Sequence, residues 1–278
     1  MKRVTMKKEK RANSLGVVIT GGSTGLGYAF ARVFLSSGDR VVICGRNQQR
    51  LDDALHTLRL AVPNSEVYGI ACDVGDPSSG KLLASFATDR LGIIDRWINN
   101  AGTAGQLKRP LWELHADDIL ETCTTNLTGS IMLCAEAVRI MDRQPSSPEP
   151  RYHIFNMGFS STGASLSRSA VSHKASKRGV AELTHFLSGE LKTARKSSIG
   201  VHELSPGLVL TRLLFQDAPE KSIKLFKIIA ERPEKVASVL VPKIRSITGY
   251  YSRMRYQPLI MTFLRLIIGI PCIIGKGK

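Results

Sequence analysis

Short runs of β-branched and apolar residues alternate along the chain with longer segments whose apolar positions recur at helical spacing. Residues 17–20, 40–44, 67–72, 94–98, 153–157 and 200–204 read as strands, and residues 26–36, 48–60, 79–91, 119–141 and 170–192 as the helices between them. The strands are apolar on both faces and lack the polar alternation of a half-exposed sheet. Such strands, separated by helices, are what a parallel sheet covered on both sides requires. The pattern predicts an α/β fold, a doubly wound parallel sheet in three layers, α/β/α. No repeat at solenoid period appears, and the loop-like string QPSSPEP at 144–150 predicts a surface connection.

With 278 residues, 43% hydrophobic and 22% charged, the chain can bury one large core, which excludes collagen, coiled coil and wholesale disorder. The net charge of +16 is concentrated at the ends: +5 over residues 1–11 and +8 over 235–278, leaving +3 for the middle. A nucleic-acid binder would place its basic groups on one face with aromatics between them, so no nucleic-acid partner is expected. Basic ends beside apolar residues suit either an anionic membrane surface or a solvated, disordered end, the latter the expectation for residues 1–13. Five widely spaced cysteines without a C-x-x-C pair point to a reducing compartment. Six scattered histidines lack metal-ligand spacing, and no metal site is predicted. No apolar stretch precedes Leu15, so no secretory signal is expected, and the leading segment is short for a transit peptide.

The first predicted strand runs into T-G-G-S-T-G-L-G: Thr20, Gly21, Gly22, Ser23, Thr24, Gly25, Leu26 and Gly27, followed by a helix. In a β-α-β unit this spacing is a Rossmann dinucleotide turn. Gly21 permits the tight turn, Gly25 the approach of a pyrophosphate and Gly27 close packing of helix on strand, with the helix N-terminus facing the phosphates. The second strand ends in Cys44-Gly45-Arg46-Asn47, with no acid to accept from a ribose 2′-OH. Arg46 can pair with a 2′-phosphate, which favours NADP(H); the alternative is a solvated arginine leading into a helix.

The turn T-G-x-x-x-G-x-G, Asn99-Asn100-Ala101-Gly102 after the fourth strand, and Pro206-Gly207 followed by Val209 and Thr211 after the sixth together resemble the short-chain dehydrogenase/reductase family over residues 14–215. That resemblance implies that Asp73, with Val74, contacts the adenine, and that Asn100, Ala101 and Gly102 border the cofactor ribose. It further implies that Asn126 holds a water for proton relay, and that Lys177 binds the nicotinamide ribose. The strings I-D-R-W-I-N-N-A-G-T, H-I-F-N-M, V-H-E-L-S-P-G-L-V-L-T and V-L-V-P-K-I-R are similar to plant and algal chlorophyll b reductases. This implies a chloroplast, thylakoid-associated enzyme that uses NADPH to reduce the 7-formyl group of chlorophyll b or chlorophyllide b. Without the resemblance, the expected location is cytoplasmic.

One departure matters for the chemistry. The family's Y-x-x-x-K is here His173-Lys174-Ala175-Ser176-Lys177, so a histidine stands where the proton-donating phenol belongs. Ser160, thirteen residues earlier, keeps the family's serine-to-tyrosine interval, but Ser161 and Thr162 adjoin it and a one-residue shift would pass the role on. The expected catalytic set is Asn126, Ser160, His173 and Lys177. An imidazole is shorter than a phenol, and Lys177, Lys174 and Arg178 disfavour the imidazolium, so a slowed or altered reductase is expected. Two alternatives stand beside it: a reductase of another lipophilic carbonyl, retinoid- or steroid-like, and a catalytically silent NADP(H)-binding partner of an active paralogue.

The resemblance to the short-chain family implies that residues 103–114 and 213–227 wall the substrate site. Residues 14–245 read as the NADP-binding reductase domain and 246–278 as a basic, apolar extension, in which 258–274 carries one charge among apolar residues. That stretch is too short to span a bilayer, so it reads either as an interfacial anchor or as a cover for the cleft or a dimer contact. By the family's habit, the long helices imply a homo-oligomer or a complex with a paralogue.

Overall fold

The computed structural model describes residues 14–159, 164, 167, 169–217, 223 and 230–256. Among them seven strands occur: β1 (Gly16–Thr20), β2 (Arg40–Gly45), β3 (Val67–Ala71), β4 (Arg96–Asn99), β5 (Tyr152–Met157), β6 (Ile199–Ser205) and β7 (Tyr251–Arg255). They form one all-parallel sheet in the order β3-β2-β1-β4-β5-β6-β7. The strand order reverses between β1 and β4, which opens the crevice at the carboxyl ends where such folds bind ligands. The helices described are α1 (Gly25–Ser36), α2 (Gln48–Ala61), α3 (Ser79–Leu91), α4 (Ala116–Cys123), α5 (Gly129–Met141), α6 (Val171–Thr193), α7 (Arg212–Phe215) and α8 (Pro233–Ser246).

The period-2 geometry of a strand sends alternate residues to opposite faces of the sheet, and helices cover both. Val17 and Ile19 pack with Phe30 and Phe34 of α1, Leu51 of α2 and Leu240 of α8, whereas the intervening Val18 joins Leu83 of α3, Leu133 of α5 and Leu191 of α6 on the other face. The doubly wound, three-layer fold read from the alternation is the one observed.

Two segments differ from the sequence reading, and one helix is not part of it. The single helix expected at 119–141 is two helices, α4 and α5, joined by a π-turn at Thr124–Thr128. Just after that turn the backbone passes close to the loop after β3. A Cβ at Gly129 would lie 2.7 Å from the Val74 carbonyl oxygen. The sheet also extends past residue 245, since β7 pairs with β6 and belongs to the domain. Finally, α8 forms although it contains Pro242. Its C-terminal end is held by the buried Arg96 guanidinium, which donates to the carbonyls of Ile244 and Arg245 as well as those of Asp95 and Arg151. A cation at that end of a helix also complements its dipole. Residues 1–13 and 258–274 lie outside the described residues.

Candidate active site

The glycine-rich turn sits at the switch point between β1 and β4 and is laced to the loop after β4. Thr20 Oγ1 accepts from the backbone N–H groups of Asn100 (3.0 Å) and Ala101 (2.9 Å), while Asn100 Nδ2 donates to the carbonyls of Thr20 and Gly21. At Gly27 a Cβ would meet the Gly21 carbonyl oxygen at 2.3 Å and Asn100 Nδ2 at 2.5 Å, so helix and turn approach as only glycine allows. Gly25 takes a left-handed φ of 58°, and a Cβ on it would lie 3.2 Å from Thr211 Cγ2. Thr211 thus meets the turn from the loop after β6, which also holds Pro206, Gly207 and Val209. The first turn of α1 carries no acid, and Thr24 makes no side-chain cap, so its N–H groups remain available to phosphates. These residues fit a dinucleotide cradle.

A prediction follows for Gly27→Ala. Overpacking costs of about 1–3 kcal/mol are typical where backbone must shift, so dinucleotide affinity should fall about tenfold together with the melting temperature. Titration of the quenched protein fluorescence measures it, and unchanged affinity would contradict the packing role.

The adenosine end is less simple than its sequence. Asp73 stands just after β3 and accepts from Gly75 N–H at 2.9 Å, and Val74 beside it is buried. Arg46, expected to meet a 2′-phosphate, instead donates to Glu121 Oε1 of α4 at 2.8 Å and lies 3.9 Å from Asp73 Oδ2. The bond to Glu121 raises the guanidinium pKa further. Ser23 lies against Gly45, where a Cβ would come within 2.9 Å of its Oγ.

At the catalytic end, the π-turn projects Asn126 toward the loop after β4. Its Oδ1 accepts from Thr103 N–H at 2.9 Å, and its Nδ2 donates to the Thr103 carbonyl (2.9 Å) and to Ser176 Oγ (3.0 Å). The same carbonyl is approached at 2.7 Å by Nδ1 of His173, on the first turn of α6. A carbonyl only accepts, so Nδ1 carries the proton and, in the neutral ring, Nε2 does not. Burial first, and Lys177 second, pull the His173 pKa down to about 4. Lys177, one turn further along α6, is buried, and desolvation lowers its pKa to about 8. A Cβ on Gly102 would lie 2.9 Å from Asn126 Oδ1 and 3.0 Å from Lys177 Nζ, which places both polar atoms beside the Asn100-Ala101-Gly102 loop. The ring of Phe159 packs edge-on against His173 at 5.3 Å between centroids.

The structure therefore brings Asn126, His173 and Lys177 together, whereas Ser160 and its neighbours Ser161 and Thr162 lie outside the described residues. Sequence reasoning missed the Thr103 carbonyl, Ser176 and Glu121. A backbone carbonyl carries no residue-type signal, and Glu121 meets Arg46 only through the fold. It also missed Asp118, buried, which accepts from the N–H groups of Gln106 and Leu107 and so shapes the loop bearing Thr103. The two expected substrate walls are tied together, Lys108 N–H donating to Asp217 Oδ2 at 2.6 Å and its Nζ to the Leu214 carbonyl at 3.0 Å. Residues 218–222 and 224–227 of the second wall lie outside the described residues.

Comparison with known proteins shows the family. The family model described as short chain dehydrogenase matches residues 16–221. The chloroplastic chlorophyll(ide) b reductase NOL of Oryza sativa subsp. japonica is 40% identical over 256 residues, 91% of this chain and 71% of that protein. A chloroplastic protein of Arabidopsis thaliana named probable chlorophyll(ide) b reductase is 37% identical over 268 residues, which are 91% of this chain and 52%, about half, of that protein. Among solved structures, levodione reductase superposes with a TM-score of 0.73 at 22% identity, covering 87% of this chain and 95% of that one, a likeness of fold.

Proposed function

The chain belongs to the short-chain dehydrogenase family of nicotinamide-dependent oxidoreductases, and on that footing we propose that it reduces the 7-formyl group of chlorophyll b or chlorophyllide b to hydroxymethyl with NADPH. The observation that supports the substrate is the 40% identity to a chlorophyll(ide) b reductase across 91% of the chain. Relatives of this kind favour neither a retinoid- or steroid-like carbonyl nor a silent binding role. NADPH rather than NADH is supported by Arg46 at the end of β2, where no acid stands among residues 44–47.

When bound, the nicotinamide supplies the hydride. The chain supplies the cradle at Thr20–Gly27, the ribose contact through Lys177 and a fixed position for His173 beside the carbonyl oxygen. Proton delivery is the weak step, because the neutral His173 ring offers Nε2 as an acceptor. Within residues 103–114, Leu111 and the 85% exposed Trp112 present apolar surface to solvent, which suits a lipophilic substrate met at a thylakoid surface. Among the described residues, no helix is long and apolar enough to cross a membrane. Membrane contact and an oligomer or paralogue complex belong to the same proposal.

The test is NADPH oxidation by the purified chain with chlorophyllide b, followed by loss of the formyl chromophore and identification of the hydroxymethyl product. One product per NADPH consumed is expected, faster at pH 6 than at pH 8. An unchanged chromophore at both pH values, with the His173→Tyr variant equally inactive, would overturn the substrate assignment.

A further inference from the structure

We propose that Glu121 sets the discrimination between NADP(H) and NAD(H), by holding Arg46 when no 2′-phosphate is present and opposing that phosphate when it is. The inference rests on the NADPH reading above, and it deepens that reading by naming a residue nothing in the motif identifies.

Arg46 follows β2 at the adenosine side of the crevice, and its Nη1 is already engaged by Glu121 Oε1 at 2.8 Å with Asp73 Oδ2 at 3.9 Å. One guanidinium therefore faces two carboxylates. A 2′-phosphate, close to dianionic at neutral pH, can take Arg46 only by sharing or displacing Glu121, and it enters beside both acids. A ribose 2′-OH makes no such demand, and a carboxylate there can accept its hydrogen bond.

Of the two acids, Asp73 is the one fixed by local backbone, since its Oδ1 closes a turn onto Gly75 N–H at 2.9 Å. The Glu121 carboxylate has no other hydrogen-bond partner among the contacts of the described residues, and the side chain is 38% exposed. The wall that carries it is nevertheless held in place: a Cβ on Gly75 would lie 3.1 Å from Thr124 Cγ2, just beyond the end of α4. Glu121 is thus a long, adjustable carboxylate on a positioned helix, aimed across the crevice at the cation that recognises phosphate.

The experiment measures dissociation constants of NADPH, NADH and the fragment 2′,5′-ADP for the unmodified chain, Glu121→Gln and Arg46→Gln, with thermal melts checking that the variants fold. Glu121→Gln is expected to tighten NADPH and 2′,5′-ADP about tenfold, the scale of one competing ion pair plus relieved repulsion, and to leave NADH within about twofold. No gain for the phosphorylated ligands, or an equal gain for NADH, would overturn the role of Glu121. Arg46→Gln separates the two ideas. If it weakens NADPH but Glu121→Gln brings no gain, only the Glu121 proposal falls; if it leaves NADPH binding unchanged, the NADPH reading itself fails.

Discussion

On the proposed reductase reading, replacing His173 by tyrosine raises the turnover of chlorophyllide b at pH 7 by at least about a hundredfold, the lower end of what a positioned general acid contributes. The expectation comes from a single hydrogen bond. His173 Nδ1 lies 2.7 Å from the Thr103 carbonyl, which also accepts from Asn126, so the ring proton is committed to the scaffold and not to the substrate. Reduction then needs a second proton on Nε2. With a pKa pulled to about 4, chiefly by burial, roughly one ring in a thousand carries that proton at pH 7. A phenol at the same position carries its proton at neutral pH and stands beside Lys177, the only part of the pair the chain retains. Losing the histidine bond to Thr103 costs about 1 kcal/mol, and the carbonyl keeps Asn126 as a donor. The pH profile provides the second readout. Reduction by the natural chain should fall about tenfold per unit as pH rises from 5 to 8, whereas the tyrosine variant should be much flatter. A variant no faster than the natural chain, together with a flat natural profile, would mean that the proton comes from elsewhere.

The position of that histidine was legible in the sequence; its tautomer was not. Positions 173 and 177 are spaced as one helical turn, and that spacing alone puts them on one face of α6. Similarly, Gly21, Gly25 and Gly27 announce a turn because only glycine tolerates the close approach later seen at Gly27. What the sequence hides are contacts made by generic groups or across the fold. The Thr103 carbonyl decides the state of His173, yet every residue has a carbonyl. Glu121 and Arg46 are 75 residues apart, and nothing in either neighbourhood signals the other. The π-turn at Thr124–Thr128 was invisible because its apolar spacing passes for ordinary helix. The strand β7, Tyr-Ser-Arg-Met-Arg, lacks β-branched residues and is placed by its partners: Ser252 meets His202, and Arg253 meets Glu203.

Those partners lead to the second large effect, a loss of stability in mild acid. His153 of β5 and His202 of β6 are fully buried neighbours, His153 Nδ1 lying 2.9 Å from His202 Nε2, and His202 Nδ1 lies 2.9 Å from Ser252 Oγ of β7. Burial, followed by the charge of Arg96 on β4, holds their pKa values down, to about 2 for His153 and about 4 for His202. His173, at about 4, is depressed as well. In the unfolded chain each ring titrates near 6.5. Above that pH neither state binds the proton and the folded protein is undisturbed. As pH falls below it, the unfolded chain takes up protons that the folded one refuses, and stability drops until the folded pKa is reached. By pH 5 the penalty is about 2 kcal/mol for each ring taken separately. Three such rings ask for several kcal/mol, a large share of the 5–15 kcal/mol that typically holds a domain together. Asp95, whose pKa burial raises, acts in the opposite sense but is one group against three. Urea midpoints at pH 7.5 and pH 5 should therefore differ sharply, and the ring resonances of His153 and His202 should not titrate across that interval in the folded protein. A midpoint constant between the two pH values, or rings titrating near 6.5, would mean that the crossing from β5 to β7 admits charge, and the acid sensitivity would have to be sought elsewhere.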